Sequence, residues 1–210
     1  NNENGIYAGI SVRPQTSWRI DLYGDLYKFP WLRFQADAPG SGKEFLVQFT
    51  YTPNRQTEIY TRFRTEAKQV NTTEIGHALN VLAAIPRQNW RIHASYKIGQ
   101  AITLRNRVET VWYNKKEKYL AEQGFLIFID VIYKPLMKRF SGLMRLQYFE
   151  TSSYASRLYA YENDVMYSYS IPVFFDKGYR YYFTINYDVS KKLGLWLRWA
   201  QTIYRDKERV

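Results

Sequence analysis

The chain has 210 residues, a formal net charge of +11 from 30 Lys and Arg against 19 Asp and Glu, and 20 Tyr within an 18% aromatic content. It has no Cys, which excludes disulfides and thiolate metal centres. No run of about 18 apolar residues occurs, which excludes a membrane-spanning helix, and the mean hydropathy of −0.48 is what an apolar/polar alternation averages to.

Strands are predicted, in chain order, at 6–13, 18–28, 43–52, 57–66, 90–98, 102–113, 124–133, 141–149, 158–171, 179–189 and 193–204. The stretch 179–189 shows the reason most clearly. Tyr179, Tyr181, Phe183, Ile185, Tyr187 and Val189 alternate with Arg180, Tyr182, Thr184, Asn186 and Asp188. Successive strand side chains point to opposite faces, so one face is apolar and the other polar. The connections alternate as well. Those at 14–17, 53–56, 99–101 and 134–138 are tight and carry turn residues, whereas 29–42, 67–87, 114–123 and 150–157 are longer. Outer-membrane barrels have short turns on the periplasmic side and longer loops outside. The scheme breaks once. Three strands separate 134–138 from the tight turn at 190–192, and an odd number cannot return the chain to one side. Either that turn is external, or 158–171 hides a hairpin near Glu162, Asn163 and Asp164.

Parity divides the side chains into two sets. The outward set includes Ile20, Leu22, Leu26, Phe45, Val47, Phe49, Trp90, Ile92, Phe125, Ile127, Ile129, Val131, Leu195, Leu197 and Trp199, and it is nearly free of charge. Trp and Tyr gather at strand ends, as at Trp18, Trp90, Trp112, Tyr133 and Tyr187, which suits interfacial girdles. The expected fold is an all-β, antiparallel transmembrane β-barrel of outer-membrane type. About 11–12 strands are expected in this chain, with 1–210 a single domain and part of a larger barrel that lacks an N-terminal region and closing strands here. A soluble β-sandwich is the competing fold. The expected location is the bacterial outer membrane, with the bilayer and lipopolysaccharide as partners.

The opposite face is densely charged. Glu58, Arg62, Arg64, Glu66, Arg91, Lys97, Arg105, Arg107, Glu109, Asp130, Arg145, Arg180 and Arg198 are expected to form a lumen charge network. Arg13, Arg19, Asp21, Asp25, His93 and Asp188 share their parity. Asp21 with Arg19, Arg64 with Glu66, and Arg107 with Glu109 are candidate pairs. Buried charges must be paired, so the structural reading is an ion-pair network filling a barrel. The functional reading is an anion-selective channel or a track for nucleic-acid phosphates.

No catalytic, cofactor or metal site is expected. His77 and His93 lie on different elements without carboxylates at ligand spacing, and neither a Gly-rich phosphate loop nor a G-x-S-x-G elbow occurs. A hydrolase centred on His93 is a third reading. The segment 71–86 is apolar in its second half and reads as a self-packed loop or a contact surface for another envelope protein. The run FPWLR at 29–33 reads as an external aromatic knob or an interfacial anchor.

Several stretches, in order, carry a resemblance: FPWLRFQADAP at 29–39, QNWRIHASYK at 88–97, 124–133, YAYENDVMYSYSIP at 159–172, KGYRYY at 177–182 and LWLRWAQTIY at 195–204. Together they resemble the C-terminal β-barrel region of the Bacteroidota helix-hairpin-helix, competence-type DNA-binding family of outer-membrane proteins. The resemblance implies an outer-membrane location in a Gram-negative bacterium, with further strands upstream. No helix-hairpin-helix occurs in these residues, so its DNA binding transfers to no position here. The expected function is a non-enzymatic outer-membrane barrel, a structural or partner subunit of an envelope complex. The alternatives are a pore or DNA-uptake channel with a basic lumen, and the barrel hydrolase.

Overall fold

The computed structural model describes residues 2–34, 36–72, 81–113 and 122–205, with the side chains of Thr72 and Val81 left aside. Ten long strands form one antiparallel sheet in chain order: β1 (Asn4–Gln15), β2 (Trp18–Phe29), β3 (Gly40–Asn54), β4 (Thr57–Thr72), β5 (Val81–Ile98), β6 (Ile102–Tyr113), β7 (Glu122–Tyr133), β8 (Phe140–Thr151), β11 (Lys177–Ser190) and β12 (Leu193–Tyr204). The short strands β9 (Leu158–Tyr159) and β10 (Val173–Phe174) pair only with each other. The sheet is not closed. β1 pairs with β2 alone, and β12 with β11 alone.

The register makes the two faces continuous. One cross-strand row runs Thr50, Tyr60, His93, Arg107, Phe128, Gln147, Arg180, Thr202. The neighbouring row on the same face runs Gln48, Arg62, Arg91, Glu109, Leu126, Phe149. The opposite face carries rows such as Val47, Phe63, Trp90, Thr110, Phe125. Its large side chains stay uncovered: Leu26, Ile129, Leu146 and Leu197 are 50–58% exposed. The expected parity of every long strand therefore holds.

Of the two readings of 158–171, the continuous strand does not form and a hairpin turning near Glu162, Asn163 and Asp164 does. β8 passes to β11 through residues 152–176, which fold back over the charged face as a hairpin. Ser153 caps a 3-10 turn at Tyr154–Ser156, accepting from the Ala155 N–H at 3.0 Å. β9 and β10 follow, with a further bridge between Glu162 and Ser170. Two long strands, not three, now separate the turn after β7 from the turn after β11, and the sidedness conflict disappears. All tight turns (16–17, 55–56, 99–101, 134–139, 191–192) lie at one end of the sheet, and the strand ends that the longer connections join lie at the other.

The hairpin explains the core. Leu158, Ala160 and Phe174 from the hairpin pack on Val111, Leu126, Phe128 and Phe149 from β6, β7 and β8. Each large apolar side chain buried there contributes roughly 1.5–3 kcal/mol. Gly124 makes the approach feasible, because a Cβ there would collide with the Ser156 carbonyl oxygen and crowd Leu158.

The expected loop at 71–86 is corrected in part. β4 reaches Thr72 and β5 starts at Val81, so its apolar second half is largely strand. Residues 73–80 lie outside the described residues, as does most of the expected loop at 114–123. In the FPWLR segment, Trp31 is 71% exposed, while Arg33 stacks over Phe29 at 4.4 Å and donates to the Gln69 carbonyl oxygen.

Candidate functional site

The charged face of β3–β8, β11 and β12, together with the in-folded hairpin, is the chemically richest region. Three clusters lie along it.

The first is centred on Asp130 of β7, which is fully buried. Arg145 donates to it from Nε at 2.5 Å and Nη2 at 2.8 Å, and Arg105 donates from Nε at 2.8 Å. The register causes this, since Arg105, Asp130 and Arg145 are direct cross-strand partners on β6, β7 and β8. The Arg145 guanidinium lies 3.7 Å from the Phe128 ring centroid and also donates to the Tyr161 carbonyl oxygen at 2.8 Å. Arg105 donates to Asn163 Oδ1 at 3.2 Å. Both arginines thus tie the sheet to the hairpin.

The second cluster ties the hairpin to β11 and β12. Glu162 of the hairpin is fully buried and accepts from Arg180 Nε at 2.6 Å, Arg180 Nη2 at 2.8 Å and Arg198 Nη2 at 2.5 Å. Arg198 also donates to Asp164 at 2.5 Å. The YEND sequence therefore supplies two carboxylates to a pair of sheet arginines and its own backbone carbonyl to a third.

The third cluster lies nearer β3 and β4. Glu109 accepts two hydrogen bonds from Arg91, at 2.7 and 2.9 Å, and one from Asn89 at 2.7 Å. Arg64 forks onto Glu44 at 2.7 and 2.5 Å and reaches Glu66 at 3.5 Å. Arg62 donates Nε to the neutral Gln48 side chain at 2.7 Å. Arg87 donates to the Arg157 carbonyl oxygen at 2.6 Å. Between these side chains is a cleft of about 260 Å³, lined by Arg62, Arg64, Arg87, Arg91, Glu66 and Glu109 and bordered by Leu158 and Tyr159 of the hairpin.

Of the candidate pairs, Arg19–Asp21 forms at 2.9 Å and Arg64–Glu66 at 3.5 Å. Arg107–Glu109 does not form. Glu109 faces Arg91 directly across β5 and β6, whereas Arg107 is two residues along its own strand. The Arg107 guanidinium stacks on Phe128 at 5.1 Å instead, and its Nε has no hydrogen-bond partner among the described residues. Glu58 and Lys97 share the charged face by register, opposite Ser95 and Thr103, away from these clusters. Glu44, Glu162, Asp164 and Asn163 were not among the expected site residues.

His93 is 7% exposed, stacked on Tyr60 at 4.9 Å and paired in register with Arg107. Its Nδ1 has no hydrogen-bond partner among the described residues, so nothing there orients the ring as a general base. Among the described residues, no three His, Asp or Glu side chains are grouped to hold a metal ion.

No protein-family model matches the chain, and no curated protein matches it significantly.

Proposed function

We propose that this chain is the wall of a non-enzymatic outer-membrane β-barrel that serves as a structural or partner subunit in the cell envelope. One observation carries the reading. The face opposite the arginines bears no Asp, Glu, Lys or Arg among the described residues between Lys28, Lys43, Glu150 and Lys177 at one end and the tight turns at the other. On β7 that clean stretch runs from Phe125 to Tyr133. Nine residues at about 3.3 Å each, tilted about 40°, give a band about 23 Å tall, close to the apolar belt of outer-membrane barrels. A water-facing sheet would scatter charge over that surface. The buried, ion-paired side then faces the barrel interior, and the 152–176 hairpin narrows it. The resemblance to the C-terminal region of the Bacteroidota helix-hairpin-helix family supports the same reading.

The test is insertion into bilayers. Ile129→Lys, at the middle of the clean band, should lower folded yield in vesicles about 30-fold or more, from the roughly 2–4 kcal/mol cost of a mid-membrane cation. Phe183 and Trp199, packed at 5.6 Å on the same face, provide a second readout. Brominated acyl chains should quench tryptophan emission if that face meets lipid. Full yield for Ile129→Lys together with no quenching would refute the membrane reading.

The surplus of arginine in the third cluster favours a second reading, a pore with a basic lumen. Single-channel recording separates the two. A hairpin-plugged interior passes little current, whereas an open one conducts with anion preference. Salt-sensitive nucleic-acid binding would instead point to uptake of DNA.

A further inference from the structure

We propose that the cleft between β4, β5, β6 and the hairpin is a binding site for a small phosphate-type oxyanion. The inference holds whether or not the opposite face meets lipid.

Charge is incompletely balanced in this partly open cleft. Four guanidinium groups, those of Arg62, Arg64, Arg87 and Arg91, line the cleft against two carboxylates, Glu66 and Glu109. Glu109 already accepts three hydrogen bonds from Arg91 and Asn89. Arg64 takes its main partner, Glu44, from β3. Arg62 and Arg87 are left with neutral acceptors among the described residues, the Gln48 amide and the Arg157 carbonyl.

The register sharpens the imbalance. Arg62 and Arg91 are direct cross-strand partners, with side chains on the same face. Like charges directly opposite each other destabilise a sheet. At position 62 a neutral residue would satisfy parity, since Arg62 hydrogen-bonds only the neutral Gln48 side chain among the described residues. A bound dianion resolves the repulsion, because guanidinium forks match phosphate oxygens and charge-assisted bonds of this kind are about twice as strong as neutral ones. The space is adequate. At roughly 30 Å³ per water, 260 Å³ holds a phosphate group with several waters. Leu158 and Tyr159 cover one side, so the hairpin that plugs the sheet also walls the site.

The experiment uses the full chain folded in detergent micelles, with thermal unfolding followed in inorganic phosphate, glycerol 3-phosphate or chloride at matched ionic strength. Phosphate at about 100-fold its dissociation constant should raise Tm by about 5 °C over chloride. Arg62→Gln should remove most of that shift, and in chloride it should melt at or above the wild-type temperature, since it relieves the Arg62–Arg91 repulsion. Arg87→Gln should also remove the shift. Glycerol 3-phosphate acting as well as phosphate assigns the site to phosphate monoesters, and phosphate acting alone assigns it to the free ion. Equal shifts in wild type and both variants, or no shift in wild type, would overturn the proposal. So would a large fall in Tm for Arg62→Gln in chloride, which would mark Arg62 as a structural cation. A variant that fails to fold is replaced by Arg62→Lys, which keeps the charge but loses the fork and should bind phosphate at least tenfold more weakly.

Discussion

At the scale of single residues, burial separates ion pairs that hold the structure from those that decorate it. Arg145 and Asp130 are 1% and 0% exposed at the side chain, and Glu162 is fully buried between Arg180 and Arg198. Removing one partner of such a pair leaves an uncompensated charge and costs about 3–5 kcal/mol. Arg64–Glu66 is 3.5 Å long, with Arg64 44% exposed, and a pair of that kind is worth roughly 0–1 kcal/mol. Asp130→Asn and Glu162→Gln should therefore lower the midpoint of urea unfolding far more than Glu66→Gln. Equilibrium unfolding in one detergent, with all three variants side by side, provides the comparison. Similar midpoints would mean that the interior is hydrated enough to solvate free arginines. The sequence shows that Asp130 and Arg145 share a face, because each sits at an odd offset from the apolar set of its own strand. Which carboxylate meets which arginine depends on register, and parity contains no register. That is why Glu109 goes to Arg91 rather than to Arg107, the partner nearest in sequence.

At the scale of elements, the ten long strands are legible because each repeats an apolar/polar alternation, whereas the 152–176 hairpin is legible only as one of two readings of 158–171. Tyr159, Tyr161, Tyr167 and Tyr169 keep the right spacing for a strand, but they are the exposed aromatics of a folded-in loop. The available signal was the Glu162–Asn163–Asp164 interruption, with Pro172 beyond it. Three polar residues in succession cannot alternate, and here they turn toward Arg180, Arg198 and Arg105. The hairpin rests on Gly124, where any Cβ meets the Ser156 backbone. Gly124→Val should lift the hairpin off the sheet while leaving the strands paired. Trypsin provides the readout. In the wild type, Arg157 is held by hydrogen bonds to Tyr154 O at 3.0 Å and Tyr159 Oη at 2.8 Å. Cleavage after Arg157 should be at least tenfold faster in the variant, with an unchanged far-ultraviolet spectrum. Equal cleavage rates would show that the sheet face does not hold the hairpin. Leu158→Ala, which removes a core side chain at a cost of about 2–5 kcal/mol without touching the backbone, should move the rate in the same direction.

At the scale of the whole molecule, the open edges set the outstanding requirement. β1 and β12 each leave a row of backbone N–H and C=O groups without a neighbouring strand in the sheet. In lipid each such group costs several kcal/mol, so an inserted sheet must close. Two closures satisfy the backbone: β1 against β12, giving ten strands, or both edges against strands other than these ten. The structure keeps β1 almost wholly solvent-exposed along its length rather than folding it onto β12. The expected outcome is therefore that β1 and β12 do not pair with each other. The absence of native Cys makes disulfide trapping clean. Ile10 and Leu22 are register partners on β1 and β2, so cysteines at those positions should oxidise readily and serve as the reference pair. Cysteines replacing Ile10 and Leu197, at mid-height on the two edge strands, should not cross-link within the folded protein. A cross-link at the yield of the reference pair would establish a self-closed ten-stranded barrel. Ten strands at about 4.8 Å spacing form a ribbon about 48 Å wide. Closed on itself, that ribbon encloses an interior that the hairpin and its arginine clusters would fill. A wider barrel would leave the arginine-lined cleft open to solution along one side.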